Sequence, residues 1–142
     1  MNQMRFIPST EQDIEQLSEW IKTDIDLPHR SVNPLWWLTG NGVLSYCLQD
    51  FKGPTMYVRL DKDKDMMRLH CQFAPASEVN RTRVARSLLF ALPKMREIAK
   101  KNNLKGFVYK STNPELINFM KVCFNFSPAP IGENDYQLLF EV

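Results

Sequence analysis

The chain has 142 residues, a length typical of one domain that buries about two-thirds of its unfolded surface. Its hydrophobic fraction of 44%, charged fraction of 24% and net charge of +2 are ordinary for a globular protein and give no argument for nucleic-acid binding. No apolar run approaches the roughly 20 residues of a membrane span, and the N-terminus has no signal-peptide core. Three cysteines without metal-ligand spacing predict free, buried thiols in a cytoplasmic protein: Cys47, Cys71 and Cys123.

The first part of the chain predicts one strand and one helix. The strand covers residues 4–7 and ends at Pro8, and Ser9 with Gln12 fits a capping box for the helix that follows. The apolar stripe of that helix is formed by Ile14, Leu17, Trp20 and Ile21. Residues 24–41 predict a short helix or loop, in which Trp36 and Trp37 either anchor packing or line a cleft.

The middle of the chain predicts three antiparallel strands in sequence. They cover residues 43–48, 56–60 and 66–73, and the turns between them cover residues 49–54 and 61–65. The third strand alternates between two faces. One face carries Met67, Leu69, Cys71 and Phe73, and the other carries Arg68, His70 and Gln72.

A long helix is predicted from about Asn80 to Lys101. Its buried stripe repeats at helical spacing through Val84, Leu88, Met95 and Ala99, with Ala91 or Leu92 between them. Pro93 should remove one backbone hydrogen bond and kink the helix.

The last part of the chain predicts a strand, a helix and two further strands. The strand covers residues 106–109, and Asn113 with Pro114 is a strong helix start. Residues 123–126 and 136–140 are predicted to return as strands. Residues 1–142 therefore predict a single α/β domain with a mixed, largely antiparallel sheet of six or seven strands and helices on both faces.

The start of the long helix carries three arginines, Arg81, Arg83 and Arg86. A helix N-terminus already has partial positive charge and free N–H groups, so cations are disfavoured there. The arrangement therefore indicates either an anion-binding site or a solvated basic face. Binding of nucleic acid through these arginines and the later lysines is disfavoured, because helical spacing spreads them around the axis.

The order of elements, with a basic helix start after the third meander strand, resembles the GNAT superfamily of acyl-CoA-dependent N-acyltransferases over essentially the whole chain. In that family a loop of the form Arg/Gln-x-x-Gly-x-Gly/Ala binds the pyrophosphate of coenzyme A. The matching segment here is Asn80-Arg81-Thr82-Arg83-Val84-Ala85, with Asn80 in place of Arg or Gln and Arg83 in place of glycine.

The resemblance implies acetyl-CoA as the cofactor and an amine, on a small molecule or a protein, as the acceptor. It implies a cofactor site at the end of the third meander strand and the start of the long helix, made of Gln72, Phe73, Arg81, Arg83, Val84, Ala85 and Arg86. Arg83 should either add a charge to the pyrophosphate or fill the space that the pyrophosphate needs.

The catalytic residues that the resemblance implies are only partly present. Met120 stands where many members have a tyrosine that protonates the leaving thiolate, so we expect that step to rely on water or on the thiolate's own low basicity. Tyr109 and Tyr136 remain candidate acids. His70 is the candidate base, and His29 lies where the family builds its acceptor site.

Two functions stay open at this point. The first is an acetyl-CoA-dependent N-acetyltransferase. The second is a GNAT-fold protein that has lost catalysis and works as a binding or structural module, since the last third of the chain resembles small bacteriophage proteins of this kind. The substitutions at Arg83 and Met120 favour the second function, and the basic helix start favours the first.

Overall fold

A seven-stranded sheet is the centre of the computed structural model, which describes residues 4–24, 33–130 and 132–140. The strands are β1 (Arg5–Pro8), β2 (Leu44–Asp50), β3 (Gly53–Asp63), β4 (Met66–Phe73), β5 (Gly106–Lys110), β6 (Ser127–Pro128) and β7 (Asp135–Leu139). The helices are α1 (Ile14–Thr23), α2 (Arg81–Lys101) and α3 (Pro114–Phe124), with short 3-10 helices at Glu11–Asp13 and Pro34–Trp37. None of the helices in the described residues is long and apolar enough to cross a membrane.

The sheet is mixed and mostly antiparallel, as predicted. Its strand order is β1-β2-β3-β4-β5-β7-β6, and β4 with β5 is a parallel pair. The meander β2-β3-β4 is joined by short turns, whereas the parallel pair needs the crossover helix α2. The fold class predicted from the sequence is therefore confirmed.

Two apolar cores lie on opposite faces of the sheet. On the first face, helix residues such as Leu88 and Met95 pack against Val58, Leu69 and Phe107; we call this the α2 core. The second face carries the α1 core, formed by Leu17, Trp20, Trp37, Cys47, Tyr57, Ala74 and Val79. The period-2 alternation of β4 decides which side chain enters which core.

The ends of several elements differ from the sequence prediction. The capping box uses Thr10 and Asp13 and not Ser9 and Gln12, because the Thr10 side chain and the Asp13 carboxylate satisfy each other's backbone N–H groups. Strand β3 runs on to Asp63, so the predicted turn at residues 61–65 is shorter. The α2 helix continues as one element through Pro93.

The predicted strand at residues 123–126 is wrong. Helix α3 continues through Phe124 and ends at Asn125, whose φ of 66° is the left-handed conformation of a helix C-terminus. The expectation of three buried thiols is also wrong in part, since Cys47 is buried, Cys71 is half-buried and Cys123 is exposed on α3. Apolar character alone did not distinguish the outer face of this helix from a strand.

Candidate functional site

The parallel strands β4 and β5 separate after a short paired stretch. They are in register only at Met67 with Phe107 and at Arg68 with Val108, yet β4 continues to Phe73 and β5 to Lys110. We call the space between the unpaired ends the β4–β5 split. Unpaired strand edges inside a sheet expose backbone N–H and C=O groups, so the split offers hydrogen bonds to an extended ligand.

Two helix N-termini meet at the open end of the β4–β5 split, because each strand leads into the helix that follows it. Asn80 caps α2 by accepting a hydrogen bond from the Arg83 N–H at 2.9 Å. Asn113 caps α3 by accepting from the N–H groups of Glu115 and Leu116 at 3.0 and 3.1 Å. Both helix starts contribute partial positive charge, which favours an anion at this end.

The three arginines at the start of α2 have different surroundings. Arg81 pairs with Glu115 at 2.9 Å and joins the starts of α2 and α3; its side chain is 85% exposed. Arg83 forms two hydrogen bonds to Asp50, from Nε to Oδ2 at 2.6 Å and from Nη2 to Oδ1 at 2.7 Å. Arg86 is exposed. Of the three, Arg81 and Arg86 are therefore the arginines whose side chains remain exposed at the start of α2.

Arg83 has a partner that the sequence analysis did not consider. The hydrogen bonds from Arg83 hold the pKa of the Asp50 carboxyl below its ordinary value, and they raise the pKa of the guanidinium. Its side chain is only 15% exposed, and that of Asp50 is 9% exposed. Arg83 therefore fastens the start of α2 to the end of β2, and its binding to a phosphate stays a prediction.

A second contact fastens the same helix turn to the sheet. The buried hydroxyls of Thr55 on β3 and Ser87 on α2 lie 2.5 Å apart, and Ser87 also donates to the Arg83 carbonyl at 2.9 Å. Sequence reasoning missed this pair, because neither residue belongs to an apolar stripe. The burial of Thr55 and Ser87 that requires such a pair is known only from the structure.

The remaining predicted cofactor residues lie close to the β4–β5 split. Gln72 is fully buried, and its Nε2 donates to Asp24 at 2.8 Å, while its Oε1 has no partner among the described residues. Phe73 packs against the α2 core, and Val84 packs against the α1 core. Ala85 is half-buried in the first turns of α2. The fold thus brings both predicted segments to one end of the sheet.

His70 lies on the opposite face from the α2 core, two residues beyond the last paired position of β4. Its Nε2 is 2.7 Å from Asp61 Oδ2, and Arg59 Nε donates to Asp61 Oδ1 at 3.0 Å. Trp36 stands edge-on to the His70 ring at 4.9 Å, and the Arg59 guanidinium stacks on Trp36 at 3.8 Å. Asp61 and Trp36 therefore hold the His70 ring in a defined orientation. His29 lies outside the described residues.

The candidate acids lie on the α2 side of the sheet. Met120 is buried in the α2 core, as is Tyr109, whereas Tyr136 is half-buried. The ring of Tyr109 stacks on Tyr136 with centroids 5.4 Å apart and meets Phe126 edge-on at 5.1 Å. The Tyr109 hydroxyl is buried and has no hydrogen-bond partner among the described residues.

A cavity of about 70 Å³ lies at the other end of β4. Arg68 bridges two of its carboxylates, with Nε at 3.0 Å from Asp63 and Nη1 at 3.2 Å from Asp135. The cavity lining comprises Asp63, Lys64, Asp65, Met66, Arg68, Val108, Ala129, Asp135 and Gln137. It contains none of the predicted site residues, so it is separate from the site at the β4–β5 split.

The architecture resembles several solved structures over nearly its whole length. One is a domain from Methanocaldococcus jannaschii DSM 2661, with a TM-score of 0.75, 12% identity, and 99% of this chain and 100% of that chain covered. Another is an acetyltransferase of the GNAT family from Staphylococcus aureus Mu50, with a TM-score of 0.70 and 13% identity; the match covers 98% of this chain and 100% of that chain. A third is the ribosomal-protein-alanine N-acetyltransferase from Brucella melitensis, with a TM-score of 0.70 and 14% identity; the match covers 97% of this chain and 99% of that chain.

No protein-family model and no curated protein matches the chain. The structural likeness therefore rests on backbone geometry, and at these identities it establishes the fold. The chain has the GNAT acetyltransferase fold, as the sequence resemblance implied.

Proposed function

We propose that the protein binds acetyl-CoA in the β4–β5 split and transfers the acetyl group to an amine, on a small molecule or a protein. The observation that supports this proposal is the separation of β4 and β5 below two helix N-termini, with Arg81 and Arg86 exposed beside them. Free thiols are consistent with a reducing, cytoplasmic location.

The residues at the helix start are compatible with the pyrophosphate of coenzyme A. The first N–H groups of α2 have no partner within the helix, and Arg81 with Arg86 supplies positive charge. The Arg83 side chain is paired with Asp50, so the proposal assigns the phosphate contacts to Arg81 and Arg86.

Bound acetyl-CoA would supply an acetyl group activated as a thioester. Transfer forms a C–N bond to the amine and breaks the C–S bond, whose electron pair stays on sulfur. The amine also loses a proton, so the reaction requires a base. His70 is the proposed base. Asp61 holds the ring in place through Nε2, and Arg59 in turn hydrogen-bonds to Asp61.

Calorimetric titration of acetyl-CoA tests the binding step with a matched pair of variants. Arg86 and Lys101 are both exposed on α2, at its start and at its end. Arg86→Ala should weaken binding about tenfold or more, the scale of a charged hydrogen bond, whereas Lys101→Ala should leave binding unchanged. Equal effects of the two variants would place the phosphates elsewhere.

A transfer assay that measures release of the coenzyme A thiol tests the chemistry. His70→Gln should reduce kcat about a hundred- to ten-thousand-fold, the usual contribution of general base catalysis, while acetyl-CoA binds as before. Unchanged kcat in this variant would remove His70 from the mechanism. A panel of amines and peptides with free N-termini identifies the acceptor class.

A second function is favoured by two observations. Arg83 is fixed to Asp50 in place of the family glycine, and Met120 is buried in the α2 core where the family places its acid. A GNAT-fold binding or structural module, such as a phage-encoded one, needs neither residue for chemistry. Absence of acetyl-CoA binding to the wild-type protein would make this the preferred function.

A further inference from the structure

Arg59 on β3 contacts both of the side chains that hold His70. Its Nε donates to Asp61 at 3.0 Å, and Asp61 lies 2.7 Å from His70 Nε2. Its Cζ lies 3.8 Å from the centre of the Trp36 ring, and that ring meets the His70 ring edge-on with centroids 4.9 Å apart. The four side chains thus form a closed series of contacts, which we call the His70 cluster.

Arg59 also fastens the backbone that carries Trp36. Its Nη1 donates to the Trp36 carbonyl, and a Cβ added at Gly40 would lie 3.3 Å from its Nη2. Arg59 is only 8% exposed, and burial of a charged group is costly unless the group is paired and hydrogen-bonded. The planar guanidinium can stack on a ring and donate in two directions at once, which a lysine ammonium cannot reproduce. The position of Trp36 therefore depends on Arg59.

The His70 cluster holds the imidazole without sealing it from solvent. The side chain of His70 is 18% exposed, and that of Asp61 is 23% exposed. A general base must reach its proton at hydrogen-bond distance, so the orientation of the ring matters as much as its access to the amine. Asp61 holds one nitrogen, whereas Trp36 contacts the ring itself. A turn of the imidazole about its bond to Cβ would disturb both contacts.

We propose that Trp36 is a positioning residue for His70 and that Arg59 holds Trp36 in that position, an inference that rests on the function proposed above. Neither residue touches the reacting atoms in this proposal. Trp36 fixes the plane of the imidazole, and Arg59 fixes Trp36. Loss of either contact therefore affects the transfer step and leaves the binding of acetyl-CoA at the start of α2 unchanged.

Kinetics of two Trp36 variants test the positioning role. Trp36→Leu removes the ring, Trp36→Phe keeps one, and Leu35→Ala is the matched control, because Leu35 is 44% exposed on the same 3-10 helix. Trp36→Leu should lower kcat about tenfold to a hundredfold, the scale for losing a group that orients a functional side chain, with KM for acetyl-CoA unchanged. Trp36→Phe should recover most of that loss, and Leu35→Ala should show none. A wild-type kcat in Trp36→Leu would overturn the proposal.

Nuclear magnetic resonance of the free protein gives a readout that needs neither acetyl-CoA nor turnover. The chain has two histidines, and His70→Gln identifies the imidazole signal of His70. Ring currents of Trp36 act on this signal, so Trp36→Leu should shift it. Arg59→Lys keeps Trp36 and a positive charge but loses the planar fork, and it should shift the same signal. A His70 signal at its wild-type position in Arg59→Lys would show that Arg59 does not position Trp36, even where Trp36→Leu fails to fold.

The results separate this inference from the proposed function. If folded Trp36→Leu has the wild-type kcat while His70→Gln is inactive, the assignment of Trp36 is wrong and the proposed function stands. If the wild-type protein acetylates no amine of the panel, the proposed function fails, and the positioning role of Trp36 in catalysis fails with it.

Discussion

The ion pair between Arg83 and Asp50 should contribute about 2–3 kcal/mol to the free energy of unfolding. Its two hydrogen bonds of 2.6 and 2.7 Å join side chains that are 15% and 9% exposed. Hydrogen bonds to charged groups are worth about 1.5–3 kcal/mol, and breaking a well-buried ion pair costs about 3–5 kcal/mol. Because both side chains keep some exposure to solvent, we expect a contribution smaller than the about 3–5 kcal/mol of a well-buried ion pair.

A double-mutant cycle with Arg83→Met, Asp50→Asn and the double variant measures the pair directly. Free energies of unfolding from urea titrations at pH 7 give the coupling energy, expected at about 2 kcal/mol. The exposed pair of Arg81 on α2 and Glu115 on α3 is the control, and Arg81 lies two residues before Arg83. Arg81→Met should change the free energy by less than about 0.5 kcal/mol.

The pH dependence of the same cycle has a definite sign. The pKa of Asp50 is lowered in the folded protein from its ordinary value of 3.8, so the pair stabilises fully above that pH and loses its effect as pH falls through the folded pKa. The coupling energy should therefore be constant from about pH 5 to 8 and should shrink below about pH 4. A coupling energy below about 0.5 kcal/mol at pH 7 would refute the reasoning, because it is the value of a solvent-exposed pair.

Three further predictions concern stability, thiol reactivity and binding. Gly106→Ala should destabilise the protein by about 1–3 kcal/mol in urea unfolding, since the added Cβ would meet the backbone carbonyl oxygen of β7 at 2.2 Å; an unchanged free energy would contradict this contact. In the native protein a thiol reagent should modify Cys123 first, and Cys123→Ser should abolish that rapid phase, because burial raises the pKa of Cys47 to about 11 and of Cys71 to about 12. Glu115→Gln should tighten acetyl-CoA binding several-fold in calorimetry by removing a carboxylate from the proposed anion site, and weaker binding would argue against phosphates there.

The sequence predicted the sheet and its helices through local patterns. The alternation in residues 66–73 appears in the structure, and so does the apolar stripe of α2 from Leu88 onwards, whereas Val84 is half-buried against the α1 core. Asn113 with Pro114 begins α3, as local capping rules require. The end of α3 was missed, because a left-handed residue at Asn125 stops the helix where apolar residues continue.

The site was predictable as a region and not as a set of contacts. Alternation placed His70 and Gln72 on one face of β4, and the basic residues marked the start of α2. The sequence analysis could not supply the partner of Arg83, which is Asp50, 33 residues earlier in the chain. It also gave no sign that Asp61 holds His70.

The sequence by itself determined most of the strands and helices, though not all of their ends, because propensity, periodicity and capping act between near neighbours. Tertiary structure alone decided where β4 and β5 part, which arginines remain exposed, and that the Tyr109 hydroxyl is buried with no partner among the described residues. Each of these depends on strand register and on packing between segments distant in the chain. Register and packing are fixed by the free energy of the whole fold, so no single stretch of residues encodes them.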